Sequence, residues 1–179
     1  GKGAGAVSTN TAVGASALAG SNSGNGRNSA FGNLALATNS TGYYSDAFGM
    51  YALYANTTGY SNDAFGYSAL FSNTTGSSNV AIGQSALNSN TTASNNTAVG
   101  YQASYSIATN SSTTSVGYQA GYANTSALNT FIGASAGRYS TTGGYSTAVG
   151  ASALSSNTGG SDGDYAVAVG YAALYSNQN

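Results

Sequence analysis

Asn96-Thr97-Ala98-Val99-Gly100-Tyr101-Gln102-Ala103 decides how this chain folds, because it keeps returning. Relatives of it surround Gly14, Gly32, Gly49, Gly66, Gly83, Gly100, Gly117, Gly133, Gly150 and Gly170, most of them 17 residues apart. An Asn-Thr-Thr-Gly-like stretch follows most of them, as at Asn56-Thr57-Thr58-Gly59. A fixed period in this range is the signature of a stacked-repeat architecture. It says how the object is built before it says anything about what the object touches.

Within a repeat the residue types hold their places. The residue before the glycine is Val13, Phe31, Phe48, Phe65, Ile82, Val99, Val116, Ile132, Val149 or Val169, all β-branched or aromatic, as strands prefer. Two before the glycine stands Ala, except at Ser115 and Phe131. Three after it stands Ala throughout. Four after stands Leu18, Leu36, Leu53, Leu70, Leu87, Leu154 or Leu174, with Ser104, Gly121 and Gly137 as exceptions. Small residues at fixed places and large ones at two others describe a thin, tightly packed interior. The pattern predicts an all-β fold, a parallel β-solenoid of about ten coils of roughly 17 residues. The Val/Ile/Phe and Leu columns are expected inside. Residues 1–9 read as an N-terminal edge or junction segment, and 10–179 as one solenoid domain. The segment after the glycine reads as a second strand, with one and a half helical turns as the alternative. Asn and Gly then turn the chain back.

Composition narrows function by exclusion. The chain has 179 residues, three of them basic and four acidic, and a net charge of -1. That leaves no electrostatic footprint for nucleic acid. No run of about 18 apolar residues exists, so no membrane span is expected. His and Cys are absent, and so is Glu. The usual acid–base and nucleophilic sets therefore cannot be assembled, and neither an enzyme nor a cofactor is expected. Disorder is disfavoured, since charge is near zero and 15 Tyr and 5 Phe are present. The chain opens at Gly1 and stops partway through a repeat, which favours a segment or a subunit whose ends abut others.

Five features are candidates for sites. Asp46 and Asp63 hold equivalent places in adjacent repeats. In-register stacking would set them about 4.8 Å apart, as a carboxylate pair, a Ca²⁺ site or two solvated variants of a Thr/Ser position. Asp162 and Asp164 lie in the longest insertion and faintly resemble a Ca²⁺ loop, though no complete ligand set follows. Seven after the glycine comes Asn39, Asn56, Asn73, Asn90, Asn124, Asn157 or Asn177. Pointing inward, this column forms an amide ladder. Pointing outward, its first five members are glycosylation sequons, as are Asn95 and Asn110. Tyr67, Tyr101, Tyr118 and Tyr171 follow the glycine directly, and Tyr54, Phe71, Tyr105, Tyr122 and Tyr175 come five after it. These form aromatic stripes suited to sugars, to another protein, or merely to covering the core. The in-register pairs Thr57-Thr58, Thr74-Thr75 and Thr91-Thr92 also raise an ice-matching array, though they sit in a turn.

Asn79-Val80-Ala81-Ile82-Gly83, Asn96-Thr97-Ala98-Val99-Gly100 and Ala166-Val167-Ala168-Val169-Gly170 resemble the head repeats of trimeric autotransporter adhesins of the YadA type. Asn96 to Ala103 is also similar to repeats of tail-fibre-type proteins of phages and environmental bacteria. The resemblance covers residues 10–179. It departs in period, since the adhesin repeat is about 14 residues. It implies a passive fibre, extracellular or on a cell or virion surface, without catalytic residues. A surface glycan or protein ligand follows from it as an expectation, and self-association, end-to-end or trimeric, is expected because neither end of the stack shows a polar cap and unpaired edges invite association.

Overall fold

The computed structural model describes residues 9–21, 23, 26–141, 144–157 and 165–177. Nine consecutive three-residue strands open the fold: β1 (Thr11–Val13), β2 (Ser29–Phe31), β3 (Asp46–Phe48), β4 (Asp63–Phe65), β5 (Val80–Ile82), β6 (Thr97–Val99), β7 (Thr114–Val116), β8 (Thr130–Ile132) and β9 (Thr147–Val149). β10 (Ser156–Asn157), β11 (Val167–Val169) and β12 (Ser176–Asn177) complete it. The sheet order β1-β2-β3-β4-β5-β6-β7-β8-β9-β11 follows the chain, and every pairing is parallel. A second, two-stranded sheet joins β10 to β12. Equivalent residues always face each other, as Asp46 faces Asp63, Ala47 faces Ala64 and Phe48 faces Phe65. The molecule is a parallel β-solenoid, about 48 Å long if ten rungs stack at the usual strand spacing.

Each coil that has another following it leaves its strand at the glycine because a side chain there would strike the next coil. Gly66 has φ +140, and a Cβ there would lie 2.6 Å from the carbonyl oxygen of Gly83 in the next coil. Ala69 N–H then donates to Gly66 O at 3.3 Å, and Asn73 N–H to Leu70 O at 3.2 Å, closing two tight turns in succession. In most coils the segment after the glycine is therefore neither strand nor helix, which corrects the expectation of a second strand; only the coils of Gly150 and Gly170 keep a two-residue one, β10 and β12. Left-handed residues set this path: Ser68 has φ 53 and Leu70 has φ 51, and their equivalents repeat it coil after coil. Such a conformation costs a side-chain-bearing residue energy. The neighbouring coils repay it, because each N–H so turned finds a carbonyl above or below. Ser68 N–H donates to Met50 O and Leu70 N–H to Ala86 O, both at 3.0 Å. The inter-coil ladder thus runs around the whole coil and well beyond the three-residue strands.

The interior differs from the sequence expectation in one respect. The Leu column does point in: Leu18, Leu36, Leu53, Leu70, Leu87 and Leu154 have no exposed surface, and only Leu174, in the last coil, is half exposed. The column before the glycine points out. Val13, Phe65, Ile82, Ile132 and Val169 are exposed, Val169 at 69%, and Phe31, Phe48, Val99, Val116 and Val149 are half-buried. A strand presents alternate residues to opposite faces, so only one of two adjacent apolar columns can be inside. The Ala column two before the glycine takes that place, with Ala30, Ala47, Ala64 and Ala81 fully buried. Leu reaching in from the opposite wall leaves room only for a methyl group.

The exceptions to the repeat obey the same space limit. Phe131 replaces Ala and is fully buried, and it occupies what Leu would fill where Gly121 and Gly137 stand instead. A Cβ at Gly137 would meet the Phe131 ring at 2.3 Å, and one at Gly121 at 2.9 Å. Ser104 and Ser115 replace Leu and Ala and satisfy each other, the Ser104 hydroxyl donating to the Ser115 oxygen at 2.7 Å. Around this polar pair the apolar core divides into two clusters, one ending at Ala103 and Ile107, the next beginning at Ala120.

Candidate functional site: the outer faces and the asparagine ladders

Five members of the Asn column seven after the glycine are inside; the side chains of Asn157 and Asn177 lie outside what the structure describes. Asn39, Asn56, Asn73, Asn90 and Asn124 are buried. Asn56 Nδ2 donates to Asn39 Oδ1 at 2.9 Å, Asn73 Nδ2 to Asn56 Oδ1 at 2.9 Å, and Asn90 Nδ2 to Asn73 Oδ1 at 2.7 Å. Each amide also donates to a carbonyl of its own turn, as Asn73 does to Gly76 O at 3.0 Å. Asn56, Asn73 and Asn90 use both amide hydrogens, and all five side chains are buried, which leaves no room for a glycan on them in the folded coil. Asn95 is exposed and Asn110 half-buried, so the sequon reading survives only there. Ile107 takes the Asn place in the next coil and ends this run of the ladder, leaving Asn90 Oδ1 without a hydrogen-bond partner.

A second ladder escaped the sequence reading. Four before the glycine, Asn28, Asn62, Asn79, Asn96 and Asn129 are buried as well. Their side-chain oxygens accept main-chain N–H groups of the following coil: Asn62 Oδ1 from Asn79 at 3.1 Å, Asn79 Oδ1 from Asn96 at 3.0 Å. The amide nitrogens of Asn28, Asn62, Asn79 and Asn129 reach the carbonyls that the first ladder also uses, whereas Asn96 Nδ2 has no hydrogen-bond partner. Asn62 Nδ2 donates to Gly76 O at 2.8 Å and Asn79 Nδ2 to Ala93 O at 2.9 Å. The signal was in view, since this Asn opens the Asn-Thr-Ala-Val-Gly motif. Together the ladders satisfy most of a corner that apolar side chains cannot, and buried polar groups left unpaired are costly.

Outside, the three-residue strands present two columns. One is Thr, Ser, Asp or Val, the other Val, Phe or Ile. Phe31, Phe48 and Phe65 stack along the axis with centroids 4.7 and 4.9 Å apart and planes within 6°. Asp46 and Asp63 lie beside them as register neighbours. Burial, and secondarily the Asp46 carboxylate, hold the Asp63 carboxyl above its ordinary value. No third ligand joins them, and among the described residues no group of three acidic, His or Cys side chains could hold a metal. Asp162 and Asp164 lie outside the described residues.

The aromatic stripes are on the surface. Tyr67, Tyr101, Tyr118 and Tyr171 are exposed, and Tyr101 stacks on Tyr118 at 5.5 Å. Tyr54 stacks on Phe71 at 5.2 Å, and Tyr105 on Tyr122 at 5.3 Å. The Thr array is committed elsewhere. The hydroxyls of Thr57, Thr74 and Thr91 each donate to a carbonyl of the next coil, at 2.9–3.0 Å. Among the described residues no helix is long and apolar enough to cross a membrane. Comparison with protein-family models, curated proteins and solved structures returns no match.

Proposed function

We propose that this chain is a non-catalytic structural module that forms, or belongs to, an extracellular fibre or filament on a cell or virion surface. The observation that carries this reading is the constant register: each coil sits on the last with equivalent residues opposed along ten strands. Such a stack gains stability from each added neighbour and extends without redesign. The exposed Val/Phe/Ile column supplies an apolar outer face for association with further copies, end-to-end or as a trimer. The resemblance to adhesin-head and tail-fibre repeats supports the surface location. The absence of His, Cys and Glu from the sequence supports a passive role.

Negative-stain imaging and small-angle scattering over a concentration series test it. Elongated particles that lengthen or thicken with concentration are expected, and wide-angle diffraction from aligned samples is expected to show the inter-strand spacing of about 4.8 Å. A compact monomer at every concentration would sink the reading. A second reading, a surface-binding head or tail-fibre module recognising a glycan or protein, is favoured by the exposed tyrosine columns.

A further inference from the structure

The column five after each glycine is aromatic at Tyr54, Phe71, Tyr105 and Tyr122, and Asn88 interrupts it. Within each pair the rings stack, the planes of Tyr54 and Phe71 lying 9° apart. An aromatic at position 88 would continue the column. Asn88 instead ends it, and its Nδ2 donates to Ser68 O at 3.1 Å, which holds the amide near Phe71. A second departure falls in the same place. Two after the glycine the other coils carry Ser, Leu, Gln or Ala, but the coil of Gly49 carries Tyr51, at φ 61. The left-handed backbone is the one every coil has at this place, so what sets Tyr51 apart is its ring, which no other coil carries there. The Tyr51 ring stands across those of Tyr54, Tyr67 and Phe71, at 82°, 84° and 79°. These four rings, with Ser68 and Asn88, line a groove of about 380 Å³.

We propose that this groove binds a neutral pyranose unit of a glycan chain. Aromatic rings offer flat apolar surface to the C–H face of a sugar, while phenol hydroxyls and the Asn88 amide offer hydrogen bonds to its hydroxyls. No charged side chain lines the groove, so phosphate, sulfate or carboxylate groups find no partner. The volume lies within the range of small-ligand sites, about 300–1,000 Å³. The site rests on the surface-binding reading above and is independent of filament assembly.

Saturation-transfer NMR and calorimetry on the full chain, with cellotetraose, galactotetraose and chitotetraose as probes, test it. Tyr51→Ser and Asn88→Tyr each restore a residue that other coils carry at that place, so the solenoid is preserved, with unchanged circular dichroism as the check. Binding of at least one tetrasaccharide is expected, weakened about tenfold by each substitution. No binding of any of the three at millimolar concentration, or affinity unchanged in either variant, overturns the proposal. Imaging of the same samples reports filament assembly separately.

Discussion

Replacing Phe131 with Ala restores what eight other coils carry at that place, yet it should destabilise this one severely. The ring is fully buried, and Gly121 and Gly137 offer nothing to fill the space. Losing the buried ring costs about 2–3 kcal/mol in transfer free energy. A cavity of roughly 80 Å³ adds about 2 kcal/mol at ~24 cal/mol per Å³, for a total of about 4 kcal/mol. Chemical denaturation followed by circular dichroism reads the loss. The decisive comparison is the triple variant Phe131→Ala, Gly121→Leu, Gly137→Leu. Both glycines have the left-handed backbone, φ 60 and 57, in which Leu70 and Leu87 sit at 51 and 50. The triple variant should recover most of the stability, while Gly137→Leu alone should destabilise by driving its Cβ into the Phe131 ring. If Phe131→Ala unfolds at the wild-type midpoint, or the triple variant is no more stable than the single one, the complementary-volume account of the core is wrong.

Other perturbations probe the ladders and the rim. Asn73→Ala removes three buried hydrogen bonds and strands the amides of Asn56 and Asn90, at an expected cost of about 2–4 kcal/mol by denaturation. Gly66→Ala, whose Cβ would meet the Gly83 carbonyl at 2.6 Å, should cost more than about 3 kcal/mol, whereas Gly170→Ala, which meets no atom within 4 Å, should cost only about 1 kcal/mol of backbone strain. Because the Asp63 carboxyl is held above its ordinary value, the folded state binds its proton more tightly than the unfolded chain. Its contribution is fully present below the ordinary carboxylate range and is lost as pH rises through the raised value. Asp63→Asn should flatten that acid-side fall in the melting temperature, and Asp46→Asn should flatten it in part. Glycopeptide mapping of protein from a glycosylating host should find Asn39, Asn56, Asn73, Asn90 and Asn124 unmodified, with any glycan confined to Asn95 and Asn110.

Much of the architecture was legible because a strict repeat leaves few ways to stack. Once the glycines recur at one period, like residues must oppose like along the axis, and the Leu and Asn columns become lines through the molecule. The local path after the glycine was harder to read. Ser68 and Leu70 carry no sequence mark of a left-handed backbone, which is stabilised by hydrogen bonds to coils 17 residues away. The aromatic groove is likewise assembled from residues of three successive coils. The paired exceptions were visible one by one, but Phe131 explains Gly121 and Gly137 only when they share one cavity.

The sequence by itself determined the period, the register and the number of coils, because covalent spacing and residue type suffice for those. Which side of Thr-Ala-Val is inside was decided only by the tertiary structure. Hydrophobicity favours the larger Val, Ile or Phe, but the Leu of the opposite wall leaves room for a methyl group alone. The interior therefore took alanine, and the bulkier column became the outer surface.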